Sequence, residues 1–322
     1  MTGKERYRKL CANESSIPIY SRDWWLDCVC GENEWDVILY CSNPDSEAID
    51  AAFPFYAPLK NIITMPAHTQ TMGIWFNPVS ENPKYSENLY RKQLICEFFI
   101  EHLPAHSFFL QQFHFSFTDW LPFYWNGFQQ TTRYNYIFPD IKNTNLLYER
   151  LGGDVKRNIA KAQKKYGIEI QRNISIDLFM EHYCLTFKQK GMKTYQPGIL
   201  KKIIEVCLSR KQGDFWGAYD KQNRLHTAVF IAWQNDCAYY IAAGNNPQLK
   251  KSGAHAYTLW KAIVDLSEEV QMFDFSGSML SGVEHFFREF GTVQLPYYVI
   301  SKGKMNIVKK ILLKIKTLIK SK

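Results

Sequence analysis

The most restrictive feature of the sequence is the order in which its hydrophobic periods change after Gly167. A short alternating strand occupies 168–171, and two helical patterns follow it. Residues 176–189 place Leu178, Phe179, His182, Leu185 and Thr186 on one stripe and stop at Gly191. Residues 197–209 place Leu200, Ile203, Ile204, Cys207 and Leu208 on one stripe behind Pro197, which suits a first helical turn because its missing N–H has no intrahelical partner there. Three strand patterns come next, at 214–220, 224–233 and 237–244, separated by turns at 221–223 and 234–236. A helix over 252–268, with Ala256, Leu259, Trp260, Ile263 and Val264 on one side, leads into a strand at 272–277. A short helix at 283–290 and a strand at 295–300 complete an order of β, α, α, β, β, β, α, β, α, β. Strands and helices mixed in this way predict an α/β domain with a mixed sheet covered by helices.

The first 150 residues give a blurred version of the same order. A helix at 24–30, strands at 35–41, 48–56 and 61–65, an amphipathic helix at 85–102 and strands at 107–113 and 128–138 repeat the topology without repeating the sequence. The seam is expected at 139–153, where a strand ends, a polar stretch follows and Gly152 and Gly153 interrupt the next helix. The expected organisation is therefore 1–150, 151–300 and a basic tail at 301–322.

Composition narrows the function classes. Aromatic residues make up 16% of the chain, which marks it as globular. The opening residues carry charge with no apolar segment behind them, and no run approaches the roughly 18 apolar residues of a membrane span. A cytoplasmic protein is the expectation. The eight cysteines are scattered, and the one close pair, Cys28 and Cys30, has neither redox nor zinc spacing, so reduced thiols and no metal are expected. The last 22 residues hold eight lysines (302, 304, 309, 310, 314, 316, 320 and 322) and no acid, which leaves 31 basic against 31 acidic residues in the rest. A formally neutral body is poorly suited to gripping a nucleic-acid backbone, so tRNA is disfavoured as a partner.

Three stretches carry a family resemblance: 155–170, Val-Lys-Arg-Asn-Ile-Ala-Lys-Ala-Gln-Lys-Lys-Tyr-Gly-Ile-Glu-Ile; 239–263, from Tyr239 through the loop at Gly244 to the helix; and 273–291, where a strand ends in Asp274-Phe275-Ser276-Gly277 and a helix runs into Phe290-Gly291. They resemble the Fem-type peptidoglycan-bridge aminoacyltransferases and the related FemAB-like acetyltransferases. Trp24-Trp25-Leu26 and the Asn126-Gly127-Phe128 turn also fit. The resemblance implies tandem domains of the acyl-CoA N-acyltransferase (GNAT) fold. It further implies an acyltransferase that takes acyl-CoA or another acyl thioester as donor and an amine, such as one on a cell-envelope precursor, as acceptor. Two residues depart from the family pattern. Phe287 precedes Arg288 where a lysine is usual, and His255 follows Lys250-Lys251-Ser252-Gly253-Ala254 where the cofactor loop has a small residue.

Acyl transfer to an amine requires a held carbonyl, stabilisation of its developing oxyanion and an acceptor for the amine proton. The resemblance places the donor in the splay between the strands flanking the 252–268 helix. Tyr240, Gly244, Asn245, Lys250, Lys251 and Gly253 are then the cofactor-binding candidates, and Asp274, Arg288 and His255 the catalytic ones. Asp274, ending an apolar strand, either handles the amine proton with a raised pKa or caps the turn through backbone N–H groups. Arg288 either binds an anion or pairs with Glu284 one helical turn away. His255 and His285 are proton shuttles or packed side chains. Lys156 and Arg157, with Ser276, Ser278 and His285, are the substrate-binding candidates, although lysines on a solvated helix face need no ligand.

The tail is independent of the resemblance. Ile307, Val308, Ile311, Leu312, Ile315, Leu318 and Ile319 form one stripe with lysines around it. Such a helix either lies on an anionic membrane surface, making the protein peripheral there, or docks on the body or a partner. Three functions follow: an N-acyltransferase, an aminoacyl-tRNA-dependent bridge transferase, or a non-catalytic binding module of the same fold.

Overall fold

A computed structural model describes residues 1–43, 47–78, 84–172, 174–189 and 191–320. In chain order the elements are α1 (Gly3–Asn13), α2 (Asp23–Cys30), β1 (Trp35–Tyr40), β2 (Ala51–Leu59), β3 (Ile62–Thr64), β4 (Trp75–Phe76), α3 (Tyr85–His102), β5 (Phe108–Gln112), α4 (Leu121–Trp125) and β6 (Gln129–Phe138). They continue with α5 (Thr144–Arg150), α6 (Gly153–Ala160), β7 (Glu169–Gln171), α7 (Ile176–Gln189), α8 (Pro197–Ser209), β8 (Gly213–Tyr219), β9 (Leu225–Gln234) and β10 (Cys237–Asn245). The last are α9 (Ala254–Leu266), β11 (Met272–Asp274), α10 (Ser281–Glu289), β12 (Val293–Gly303) and α11 (Ile307–Lys320). The chain divides into two compact units, Met1–Arg133 with Pro296–Ile319, and Tyr134–Leu295.

In the first unit β1, β2 and β3 form an antiparallel run, β3 pairs parallel to β5, and β5 pairs antiparallel to the end of β12. The parallel step is bridged by α3, whose Ile95, Cys96 and Phe99 pack into a core with Phe53, Phe109, Phe113 and Phe123. Edge-to-face contacts among these rings add to the area they bury. α1 was not foreseen. Its signal is local: Thr2 accepts the Glu5 N–H while the Glu5 carboxylate accepts the Thr2 N–H, a capping box that satisfies donors a helix start leaves open.

In the second unit the strand order is β6-β11-β10-β9-β8-β7. Every neighbouring pair is antiparallel except β10 and β11, which run parallel and are joined through α9. Trp216, Val229, Ile231, Phe273 and Phe275 face α6, α9 and α10 in one core. Their neighbours Phe215 and Phe230 meet Phe179 of α7 on the opposite face. Successive strand residues point to opposite faces, so the near-continuous apolar runs of β8 and β9 are required by burial on both sides. The polar stretch expected at 139–153 contains α5. Gly152 stands at the α6 N-cap, where a Cβ would collide with Glu289.

Candidate functional site

The β10–β11 register runs from Cys237↔Met272 to Tyr239↔Asp274 and stops, while β10 continues through an irregularity at Tyr240/Ala242 to Asn245. The β11 side of residues 240–245 therefore has no strand partner among the described residues. Backbone groups along such an edge are available to a ligand, except the Asn245 N–H, which donates to Thr186 Oγ1 at 2.9 Å. Polar clusters stand on the two faces of the sheet beside this gap.

On the face shared with α7 lies Asp274, 3% exposed. Phe273 and Phe275 both enter the α9-side core, so alternation sends the carboxylate between them the other way. Asn135, flanked on β6 by Tyr134 and the core residue Tyr136, donates Nδ2 to Asp274 Oδ1 at 3.0 Å and Oδ2 at 2.9 Å. Ser276 N donates to Oδ1 at 2.6 Å. Burial pushes the carboxyl up to about 6, against the hydrogen bonds from Asn135 and Ser276, which favour the charged form. Ser276 reaches back because its φ of 63° is left-handed, a conformation usually left to glycine or asparagine. Asp274 thus caps the turn and is at the same time a buried acid of raised pKa. Asn135 Oδ1 is buried without a hydrogen-bond partner among the described residues.

Gly244 faces the same side, five residues but only four register positions beyond Tyr239 because of the irregularity at Tyr240/Ala242, or roughly 13 Å along the strand. Its missing side chain is occupied by α7: a Cβ there would lie 2.6 Å from Tyr183 N and 2.8 Å from His182 Cβ. Gly253, the α9 N-cap with φ of 79°, is likewise pressed on α6, its Cβ position close to the Asn158 carbonyl. Both glycines therefore serve packing between elements.

The α9 face carries His255, Tyr240 and Asn245, brought together by Thr227, which the sequence reading passed over. Thr227 Oγ1 donates to Asn245 Oδ1 at 2.8 Å and lies 3.2 Å from His255 Nδ1; Tyr240 Oη lies 3.4 Å from His255 Nε2. Burial lowers the His255 imidazole to about 4 and raises the Tyr240 hydroxyl, so at neutral pH both are uncharged. Both ring nitrogens of His255 therefore have polar partners, Thr227 at Nδ1 and Tyr240 at Nε2. Phe286 packs on His255 and Phe287 on Tyr240 and Tyr136, so Phe287 supplies an aromatic wall where the family pattern has a charge.

The remaining candidates are spread around these clusters. Arg288 Nε pairs with Glu284 Oε1 at 2.9 Å, the i, i+4 partner, and its Nη2 lies 3.3 Å from His285 Nδ1. Glu284 also accepts from Tyr136 Oη at 3.3 Å. Lys156 donates to the Glu149 carbonyl and Arg157 pairs with Asp154, so both are engaged on their own surface. Lys250 and Lys251 are exposed beside the α9 N-terminus, and Ser278 Oγ accepts from Leu280 N within the turn. Asp274 and His255 stand on opposite faces of the sheet, so the three catalytic candidates do not form one constellation.

A second buried network holds the β10–α9 loop. Ser252 Oγ lies 2.9 Å from His226 Nδ1, and His226 Nε2 lies 3.1 Å from Asp220 Oδ2, which Arg224 also binds. Burial raises the Asp220 carboxyl, but bonds from Arg224 and His226 outweigh it and hold it below the usual carboxylate range. His226 and Thr227 shared one visible signal: they are polar at the start of an otherwise apolar strand.

No family model and no curated protein matches the sequence. Solved structures do match its fold. FemX superposes with a TM-score of 0.64 at 10% identity, over 98% of both chains. The C-terminal domain of a putative lysylphosphatidylglycerol synthetase from Agrobacterium fabrum gives 0.53 at 9% identity, over 98% of this chain and 96% of that one. A tandem GNAT protein from the clavulanic acid biosynthesis pathway gives 0.52 at 9% identity, over 94% and 96%. The chain has a FemAB-like, tandem GNAT fold. Both of its GNAT-like units contain the parallel step, β3 to β5 and β10 to β11, but β5 ends on Gln112 where β11 ends on the buried carboxylate of Asp274.

Proposed function

We propose that the second unit is an N-acyltransferase that moves an acyl group from a thioester to an amine at the gap beyond Tyr239 and Asp274. The observation that carries this reading is the buried Asp274 carboxylate, adjusted to about 6, at the point where β10 loses its parallel partner. A free edge of β10 suits an extended, amide-bearing donor. Lys250 and Lys251, beside the α9 N-terminus, suit its anionic end.

The amine approaches from the Asp274 face, with Asn135 Oδ1 supplying the acceptor that a second N–H requires. As nitrogen bonds to the carbonyl carbon and the carbon–sulfur bond breaks, the amine proton passes to Asp274. The leaving thiolate takes that proton back from Asp274 and departs as the thiol, which returns the carboxylate to its starting form. The acceptor amine is placed on a cell-envelope precursor, a reading supported by the sequence resemblance and by the fold likeness to a putative lysylphosphatidylglycerol synthetase domain.

The test is mass spectrometry of the purified protein for a retained acyl thioester, followed by transfer assays with acyl-CoA and with charged tRNA. Transfer supported by acyl-CoA and lost in Asp274→Asn is the expected result. Transfer from charged tRNA alone would replace the thioester by an aminoacyl ester as donor. Binding of neither, with Asp274→Asn silent in cells, would leave a non-catalytic module.

A further inference from the structure

The C-terminal helix departs from one of the two arrangements its sequence allows. Residues 301–303 belong to β12, where Val299↔Gln112 to Gly303↔Phe108 pair with β5, so the helix begins only at Ile307. α11 is tied to its unit by its polar side. Lys309 Nζ donates to Ser107 Oγ at 2.9 Å, and Lys316 pairs with Glu34 at 3.0 Å and donates to the Pro58 carbonyl. Leu313 and Thr317 share that face by helical spacing and are half-buried. The stripe of Ile307, Val308, Ile311, Leu312 and Ile315 points away from it, each residue between 48% and 74% exposed. The side chains of Leu318, Ile319 and Lys320, and Lys322 altogether, lie outside the described residues.

We propose that α11 lays this stripe on an anionic lipid bilayer, holding the protein at a membrane surface. Three observations select the occupant. A helix that had only to dock on its own unit would turn its apolar side inward, and this one turns it outward. Exposed Lys304, Lys310 and Lys314 flank the stripe with no acid anywhere in 301–320, so a second copy of the same face would meet like charge. A nucleic acid would satisfy the lysines and leave five large aliphatic side chains in water. An anionic bilayer satisfies both, with aliphatic side chains at the acyl boundary and ammonium groups among the headgroups. No described helix is long and apolar enough to cross a membrane, so the contact is in the plane of the interface. This inference does not depend on the transferase reading.

The experiment compares co-sedimentation with phosphatidylglycerol-containing and with pure phosphatidylcholine vesicles for three proteins. They are the full chain, a chain ending at Asn306, and the full chain carrying Ile311→Asn and Ile315→Asn, which keeps every lysine; circular dichroism verifies the fold of each. The full chain is expected to sediment with the anionic vesicles and to do so less at high salt. Both altered chains are expected to bind on the order of tenfold or more weakly, since two buried aliphatic side chains are lost in one and the whole helix in the other. Equal sedimentation of all three overturns the proposal. So does full retention by the asparagine variant, which would mean attraction to any polyanion, RNA included, or a dimer in light scattering that disappears on truncation.

Discussion

Asn135 donates one side-chain amide to both carboxylate oxygens of Asp274, at 3.0 and 2.9 Å, inside a sheet where the carboxylate is otherwise met only by the Ser276 N–H among the described hydrogen bonds. The pair sets a pH dependence. A proton acceptor must be ionised, so transfer is expected to rise about tenfold per pH unit below about 6 and then level off. Asn135→Ala removes a bond that favours the charged form and should move that midpoint upward. Asp274→Asn should lower kcat by about 10²–10⁴-fold at neutral pH. A pH–rate profile that is flat from about 5 to 8 in the parent would show that Asp274 does not take the proton.

The same carboxyl makes a stability prediction of opposite sign to the catalytic one. Its folded-state value lies above the usual 3.8, so folding favours the protonated form; that contribution is complete below about pH 4 and is lost as pH rises through about 6. A rise of some two units amounts to about 3 kcal/mol. Asp274→Asn, which never ionises, is therefore expected to gain up to about 3 kcal/mol on the parent between about pH 4 and 7. Urea midpoints of the two proteins at both pH values measure it, and parallel behaviour would place the carboxylate in water.

The Ser252–His226–Asp220 chain fixes the loop that leads into α9, and all three side chains are buried. His226→Ala leaves Ser252 and Asp220 each short of a partner and is expected to cost about 2–4 kcal/mol in a denaturant melt. Because Asp220 is held below its unfolded value, its contribution is present above about pH 4 and falls away on acidification. His226→Ala should flatten that acid limb. An unchanged limb would mean that Arg224 and the backbone N–H groups of residues 222 and 224 hold the carboxylate without His226.

How much of this was legible in the sequence depends on what kind of contact was involved. The strand and helix order of 168–300 needed only local periodicity, and β8, β9, β10, α7, α8 and α9 lie where the alternation and the stripes put them. Asp274 was legible because a charge in Met-Phe-Asp-Phe stands out. Its partner Asn135 was not, since pairing residue 135 with residue 274 is a matter of sheet order, which a single chain's pattern does not contain. The same limit applies to His255: spacing put it at the start of a helix, and only the fold shows it on the face opposite Asp274. Gly244 is ambiguous in a different way, because close approach to a ligand and close approach to α7 demand the same residue.

Arg288 separates a structural role from a binding one. Its pairing with Glu284 is on the surface, where solvent screens it, so Arg288→Ala is expected to leave the melting temperature unchanged within error. A fall in transfer with no change in melting temperature would assign the guanidinium to an anionic substrate, whereas a clear drop in melting temperature would show that the Glu284 pair carries more than an exposed ion pair can.

Gly244 offers the complementary check. In Gly244→Ala the new methyl would stand 2.6 Å from Tyr183 N, nearer than carbon and nitrogen tolerate, and the obstacle is helix backbone that cannot rotate away. α7 must therefore shift, at an expected cost of about 1–3 kcal/mol, and with it Thr186, which bonds the Asn245 N–H at 2.9 Å. If the position instead served to admit a ligand, the alanine variant would melt with the parent and lose only donor binding. A thermal melt together with a binding titration distinguishes the two, and the packing seen here requires the melt to move.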